Sequence, residues 1–344
     1  MFYSHNKLLR ENFLEEVFQE SERLKKNEVS AEDFGNFLKT NSFPANSIIV
    51  PIHYHENCKT TIFRIALARL AVALETLRIS AKVATSGQVK IVSTFIGFIK
   101  EIDIIQDEAL KIFWLSLLLN ASRALLDTEN SILESINYLN SVNSFANLSE
   151  SEMKYIDRAK KLFLELFKTD CAQKALKVTC KRLSYTEEKT QQILEFFPKC
   201  VEKVHFMHAL FAGMIGFNEI YIKADVLELQ NGESEEGVIA RLVGLFFHEA
   251  FHLSQRLICE NFASQTPRSS KPYNVEGGLL LELFLWGTIE IEYWNEKHTN
   301  VVLDKKRWDF WPLFTEEEIF QRARRKIGNS KCSGLCSEFK RWAE

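Results

Sequence analysis

Residues 244–255 read GLFFHEAFHLSQ, and three of them, His248, Glu249 and His252, have the types and spacing to do chemistry. Helical residues four apart project from one face, so His248 and His252 can aim ring nitrogens at a single point. Zinc takes imidazole readily, and a hydrolytic zinc site uses three protein ligands plus a water. Glu249 follows the first histidine and is angled aside, where it reaches the water rather than the ion. Zinc lowers the pKa of its water to about 7, and the glutamate takes the proton as the water attacks a carbonyl. Among Phe246, Phe247, Phe251 and Leu253, two imidazoles and a carboxylate would be costly to bury unless coordination compensated them. The spacing predicts metal-assisted hydrolysis with one zinc ion per chain.

Such a helix needs neighbours that position it. Upstream, Phe217–Leu227 alternates apolar and polar residues and is predicted as a strand. A polar turn follows, with Ser234 a helix cap and Glu235 and Glu236 suited to the positive helix start. Downstream, Pro267 and Pro272 mark a loop, and a second helix, rich in leucine and carrying Glu276 and Glu282, is predicted from near Val275.

The earlier chain has a different texture. Before residue 198 the only prolines are Pro44 and Pro51 and the only glycines Gly35, Gly87 and Gly97, a scarcity of breakers that predicts helices. Apolar residues recur at three and four, as in Phe13 and Val17, and in Ile62, Ile65, Ala66, Leu70 and Leu74. Helix starts are expected at Ser30, Ser149 and Ser184, each followed by an acid three residues on. Residues 47–58 read instead as an extended segment. The chain therefore divides into a helical domain, 1–204, and a catalytic domain, 205–344, containing a small sheet.

Over residues 217–292 the order of strand, His-Glu helix, loop and glutamate helix resembles the zincin metallopeptidases. The similarity spans less than a quarter of the chain. It implies a mainly α protein whose C-terminal domain is zincin-like α+β, acting on a peptide or protein substrate. In the branch with a glutamate ligand, the gluzincins, the third ligand comes from a helix about two dozen residues or more beyond the second histidine. The resemblance thus implies Glu276 as third ligand, with Glu282 the alternative. Gly277 and Gly278 would let that helix approach the histidines closely. Ser254 departs from the family pattern, which has an apolar residue there. Leu280 stands where many gluzincins carry an orienting acid, and the metzincin glycine–histidine continuation is lacking. Tyr273, Tyr293 and His298 are candidate donors to an oxyanion, with Tyr293 and His298 taken as catalytic beside Glu249.

Other constellations are weaker. His53 and His55 on one side of an extended segment, with Cys58 nearby, offer a second metal site lacking a fourth partner. Cys200, His205 and His208 are loosely spaced for a helix, and Cys332 and Cys336 lack a matching pair. Trp286, Trp294, Trp308 and Trp311 are expected to pack around the active-site helices.

A net charge of −3 gives no bulk attraction for nucleic acid, and the basic cluster Arg322, Arg324, Arg325 and Lys326 reads as a solvated helix face. The longest uncharged apolar stretches, such as 112–122, are too short to span a bilayer. Seven scattered cysteines and no apolar run at the start suit a cytoplasmic protein, or one exported without an N-terminal signal. The competing reading is a binding or scaffold protein that keeps the zincin shape without hydrolysis.

Overall fold

Long helices occupy the stretch that lacks glycine and proline. In this computed structural model, residues 5–41, 50, 52–55, 57–80, 85–125, 139, 145–209, 212–229, 234–263, 276–286, 299 and 302–308 are described. The fold is mainly helical with one small sheet. No described helix is long and apolar enough to cross a membrane. Two compact units divide the chain, the first comprising 1–143 and 259–265, the second 144–258 and 266–344. The change in texture at residue 205 is a property of composition, whereas the helices between 150 and 196 group with the sheet in the second unit.

The first unit contains α1 (His5–Lys25), α2 (Ala31–Asn41), α3 (Asn57–Ser80), α4 (Thr85–Ile104) and α5 (Glu108–Ala124). Helix α3 is its centre and packs on α2 and α5. The predicted stripe Ile62, Ile65, Ala66, Leu70 and Leu74 is buried, and so are Phe63, Leu67 and Ala71, because a central helix is covered on more than one side. Two buried arginines serve the returning segment. Arg69 donates to Ser122 Oγ (3.1 Å) and to the carbonyl of Ala263 (2.7 Å). Arg123 donates to Asn120 Oδ1 (3.0 Å) and to the carbonyl of Phe262 (3.1 Å), whose ring lies under its guanidinium. Val50 completes the clasp, its N–H donating to Asn261 Oδ1 and its carbonyl accepting from Phe262 N–H.

The second unit begins with α6 (Glu150–Phe167), α7 (Asp170–Arg182) and α8 (Glu187–Phe196). Ser149 caps α6 as expected: its hydroxyl accepts from Glu152 N–H, and Glu152 reaches back to the Ser149 backbone. Ser30 exchanges the same bonds with Asp33 at the start of α2. The expectation for Ser184 is corrected. Ser184 takes a left-handed conformation, φ 62°, after the end of α7, and Thr186 caps α8 instead.

The sheet has the order β1 (Val204–Met207), β3 (Ile220–Lys223), β2 (Gly213–Ile215). β1 and β3 are parallel, and β2 runs antiparallel to β3, with Gly213 opposite Ile222. The predicted strand 217–227 shrinks to four residues, because Ala224–Leu227 turns into a short 3-10 helix. The long helix α9 (Glu235–Cys259) follows, starting after Ser234, whose hydroxyl accepts from Gly237 N–H. Next come α10 (Gly277–Trp286), which packs on α7, and the short α11 (Lys305–Trp308).

Apolar contact fixes the back of α9. Phe247 lies 4.7 Å from Phe163 and 5.6 Å from Phe197, ring centre to ring centre, and meets Trp286 of α10 edge-on at 6.0 Å. Trp286 and Trp308 are buried, as expected of core tryptophans, while Trp294 and Trp311 lie outside the described residues.

Candidate metal centre

Helix α9 is buried from Gly237 to Phe247 and again from Glu249 to Arg256, and His248 is the one interruption. A helix apolar nearly all round is held by packing on several sides, so its few polar side chains are locked in direction. His248 and His252 turn to the same point, with Nε2 atoms 3.1 Å apart. That is close to the roughly 3.3 Å separating two nitrogens bound tetrahedrally at zinc distances.

The third group is Glu276. Its carboxylate Oε2 lies 2.7 Å from His252 Nε2, and Oε1 lies 3.5 Å from His248 Nε2. One ligand atom from each of the three residues lies within 4.8 Å of the others. Among the described residues, no other set of three histidine, cysteine or carboxylate groups comes so close.

Local backbone structure explains why Glu276 can do this. Helix α10 starts at Gly277, two residues later than the sequence suggests, and Glu276 precedes it. Its Oε2 accepts from Gly278 N–H (2.9 Å) and its Oε1 from Leu279 N–H (2.7 Å). The carboxylate is therefore both the helix cap and the group facing the histidines. Burial alone would raise the Glu276 pKa. The two imidazoles and the helix-start amides outweigh it and hold the carboxyl well below the usual carboxylate range.

The two glycines after Glu276 make the approach possible. A Cβ on Gly278 would stand 2.8 Å from Nε2 of both His248 and His252. One on Gly277 would run into the Phe251 ring. The space between the two imidazoles is thus one that only a glycine leaves open.

Glu282, the alternative ligand, faces the opposite side of His248. Its Oε1 accepts from Nδ1–H of His248 at 2.5 Å, which leaves Nε2 for the shared point. A carboxylate thus holds the His248 ring from position 282, where the sequence reading looked for one at 280. Burial pushes the Glu282 carboxyl up to about 7, against the pull of His248. For His248, burial disfavours the imidazolium, but Glu276 and Glu282 outweigh it and raise the group to about 10.

Glu249 stands apart from the ligand set. It is 5% exposed and its carboxylate lies against strand β2, where a Cβ on Gly213 would stand 2.5 Å from Oε1. Burial raises its pKa, and the two histidines only partly offset that. A carboxyl held above its ordinary range beside a candidate metal site is suited to taking up and returning a proton. Ser254, the departure from the family pattern, is fully buried and donates to the carbonyl of Phe251 at 2.9 Å.

The remaining sequence candidates that fall among the described residues do not converge. Tyr273, Tyr293 and His298 lie outside the described residues, as do Arg322–Lys326, Cys332 and Cys336. His53 and His55 are exposed in an irregular segment rather than aligned on a strand, and Cys58 is buried in the first turn of α3. Cys200, His205 and His208 do not share a helix. Cys200 is buried and its thiol bonds the Phe196 carbonyl, His205 belongs to β1, and His208 is exposed.

His205 instead joins a cluster that sequence reading missed. Its Nε2 is 2.8 Å from Glu219 Oε2, and the buried Tyr221 hydroxyl donates to Glu219 Oε1 at 2.7 Å. Burial pushes the Tyr221 phenol above its ordinary range, with Glu219 adding to the effect. Tyr221 alternates with Ile222, the partner of Gly213, so this cluster occupies the sheet face away from Glu249. It ties β1 to β3 and is not part of the candidate metal centre.

The chain matches no protein-family profile, no curated protein and no solved structure.

Proposed function

We propose that the protein is a zinc-dependent hydrolase, a gluzincin-like metallopeptidase in which His248, His252 and Glu276 hold the ion. The observation that carries this reading is the division of labour on one helix. Two imidazole nitrogens and the Glu276 carboxylate converge, while the Glu249 carboxylate stays outside their set, against Gly213. Two nitrogens and one oxygen suit zinc, and three protein ligands are the number that a hydrolytic site uses.

A zinc ion bound there supplies Lewis acidity that polarises a carbonyl and makes water acidic near neutral pH. The chain's own residues do the rest. Glu282 fixes the tautomer and ring direction of His248 through Nδ1–H. The first amides of α10 hold the Glu276 carboxylate in place. Glu249 takes a proton from the attacking water and returns it to the leaving amine, a shuttle to which its raised pKa is suited.

The test is Glu249→Gln. Purified protein should carry about one zinc per chain, lost on His248→Ala or His252→Ala, and the Gln variant should keep that zinc while peptide turnover falls about 100-fold or more. Wild-type turnover in Glu249→Gln would sink the mechanism. The burial of Glu249 and His252, 5% and 8% exposed, favours one other reading, a metal-stabilised binding protein without turnover. It predicts full zinc loading and no cleavage of any peptide by the wild type.

A further inference from the structure

Two buried side chains of α9, three positions apart, carry polar atoms without a hydrogen-bond partner among the described residues. His252 Nδ1 is buried without a hydrogen-bond partner among the described residues. So are both ends of the Gln255 carboxamide, on a side chain 1% exposed. Unpartnered buried amides are rare because each forfeits its bonds to water, so this one calls for a reason.

Positions three apart share a helix face. Gly277 and Gly278, adjacent in the chain, cover them in turn: a Cβ on Gly277 would stand 3.0 Å from Gln255 Nε2, and one on Gly278 2.8 Å from His252 Nε2.

The metal reading gives the pair a use. A neutral imidazole carries one proton. Here Nε2 of His252 lies 2.7 Å from Glu276 Oε2 and can donate to it, leaving Nδ1 with a lone pair. When Nε2 is given to a metal ion, the proton must sit on Nδ1, and a buried donor appears that needs an acceptor. Gln255 Oε1 is a neutral, buried, unused acceptor on the same face.

We infer that Gln255 is a positioning residue for His252, its carboxamide oxygen accepting the Nδ1–H hydrogen that metal binding creates. The inference rests on the metal centre proposed above and assigns His252 the orienting partner that Glu282 is for His248. It also explains why an unpaired amide is kept in a packed helix, since its bond belongs to the loaded state.

The variants are Gln255→Met, which keeps the volume and removes the acceptor, and Gln255→Glu, which keeps one. Zinc affinity is measured by chelator competition, and the melting midpoint is measured on the metal-free protein. Gln255→Met should bind zinc about 10- to 100-fold more weakly and melt no lower than wild type without metal. Gln255→Glu should return the affinity to within a few-fold of wild type. A residue that merely packs would lower both quantities together in the Met variant. Wild-type zinc affinity in Gln255→Met, or a Glu variant as weak as the Met one, overturns the inference.

A measurement on wild type removes any dependence on how the variants fold. In zinc-loaded protein labelled with nitrogen-15 histidine, the Nδ1–H proton of His252 should show a nuclear Overhauser contact to the Gln255 carboxamide. Observing that proton without the contact overturns the proposal. Wild type that takes up no zinc through His248 and His252 fails earlier, and overturns the metal reading itself.

Discussion

Nδ1–H of His248 donates to Glu282 at 2.5 Å, from the side of the ring opposite the point shared with His252 and Glu276. A carboxylate placed there holds the ring rather than the ion. Glu282→Ala should therefore weaken zinc binding about 10- to 100-fold, whereas His248→Ala should abolish it, both read by chelator competition. Equal and complete loss in the two variants would make Glu282 a ligand in its own right.

On the proposed function, two glycines should separate metal holding from proton transfer. Alanine at Gly278 places a Cβ 2.8 Å from both Nε2 atoms and should cut zinc occupancy severely. Alanine at Gly213 places one 2.5 Å from the Glu249 carboxylate. Gly213→Ala should keep its zinc and lose about 10-fold or more in turnover, because displacement of a general base is felt in the rate. Metal content and peptide cleavage measured on the same preparations check both outcomes.

The start of α6 should be acid-sensitive. Glu152 is held below its ordinary value of 4.5 by the Ser149 hydroxyl first and its backbone N–H second. A lowered folded-state pKa gives stability that is full above the unfolded value and lost as pH falls through the folded one. Glu152→Gln should therefore be less stable than wild type at pH 7 and converge with it in acid, below both values. Ser149→Ala should cost about 1 kcal/mol at neutral pH in denaturant melts.

Ser184 and Thr186 should respond in opposite directions. Ser184 sits at φ 62°, a conformation that glycine adopts without steric cost, so Ser184→Gly should be neutral or stabilising by about 0.5 kcal/mol. Thr186→Ala removes the cap of α8 and should destabilise by about 1 kcal/mol. Denaturant midpoints at constant slope distinguish the two.

The convergence of the candidate metal-holding residues was legible in the sequence where it rests on helical spacing. His248 and His252 share a face because they are four apart, and Glu276 meets them because two glycines let its helix start against theirs. Local patterns decided less elsewhere. Ser184 and Thr186 both precede acids, and only the left-handed turn that ends α7 selects Thr186. Alternation from Phe217 to Leu227 does not register the 3-10 turn, whose buried residues, Ala224 and Leu227, lie three apart. Nothing local announces that Gly213, on a three-residue strand, lies over Glu249, or that Glu282 reaches behind His248. Those contacts join distant parts of the chain, and a single sequence carries no periodic trace of them.

The clasp formed by Val50, Arg69 and Arg123 has a consequence for biosynthesis. Its acceptors, the carbonyls of Phe262 and Ala263, are made more than a hundred residues after the helices that grip them. The emerging N-terminal bundle must wait with each buried guanidinium short of its carbonyl acceptor until translation has passed helix α9. A fragment ending at residue 143 would be stranded in that condition, and late completion of this bundle would follow, rather than precede, synthesis of His248 and His252.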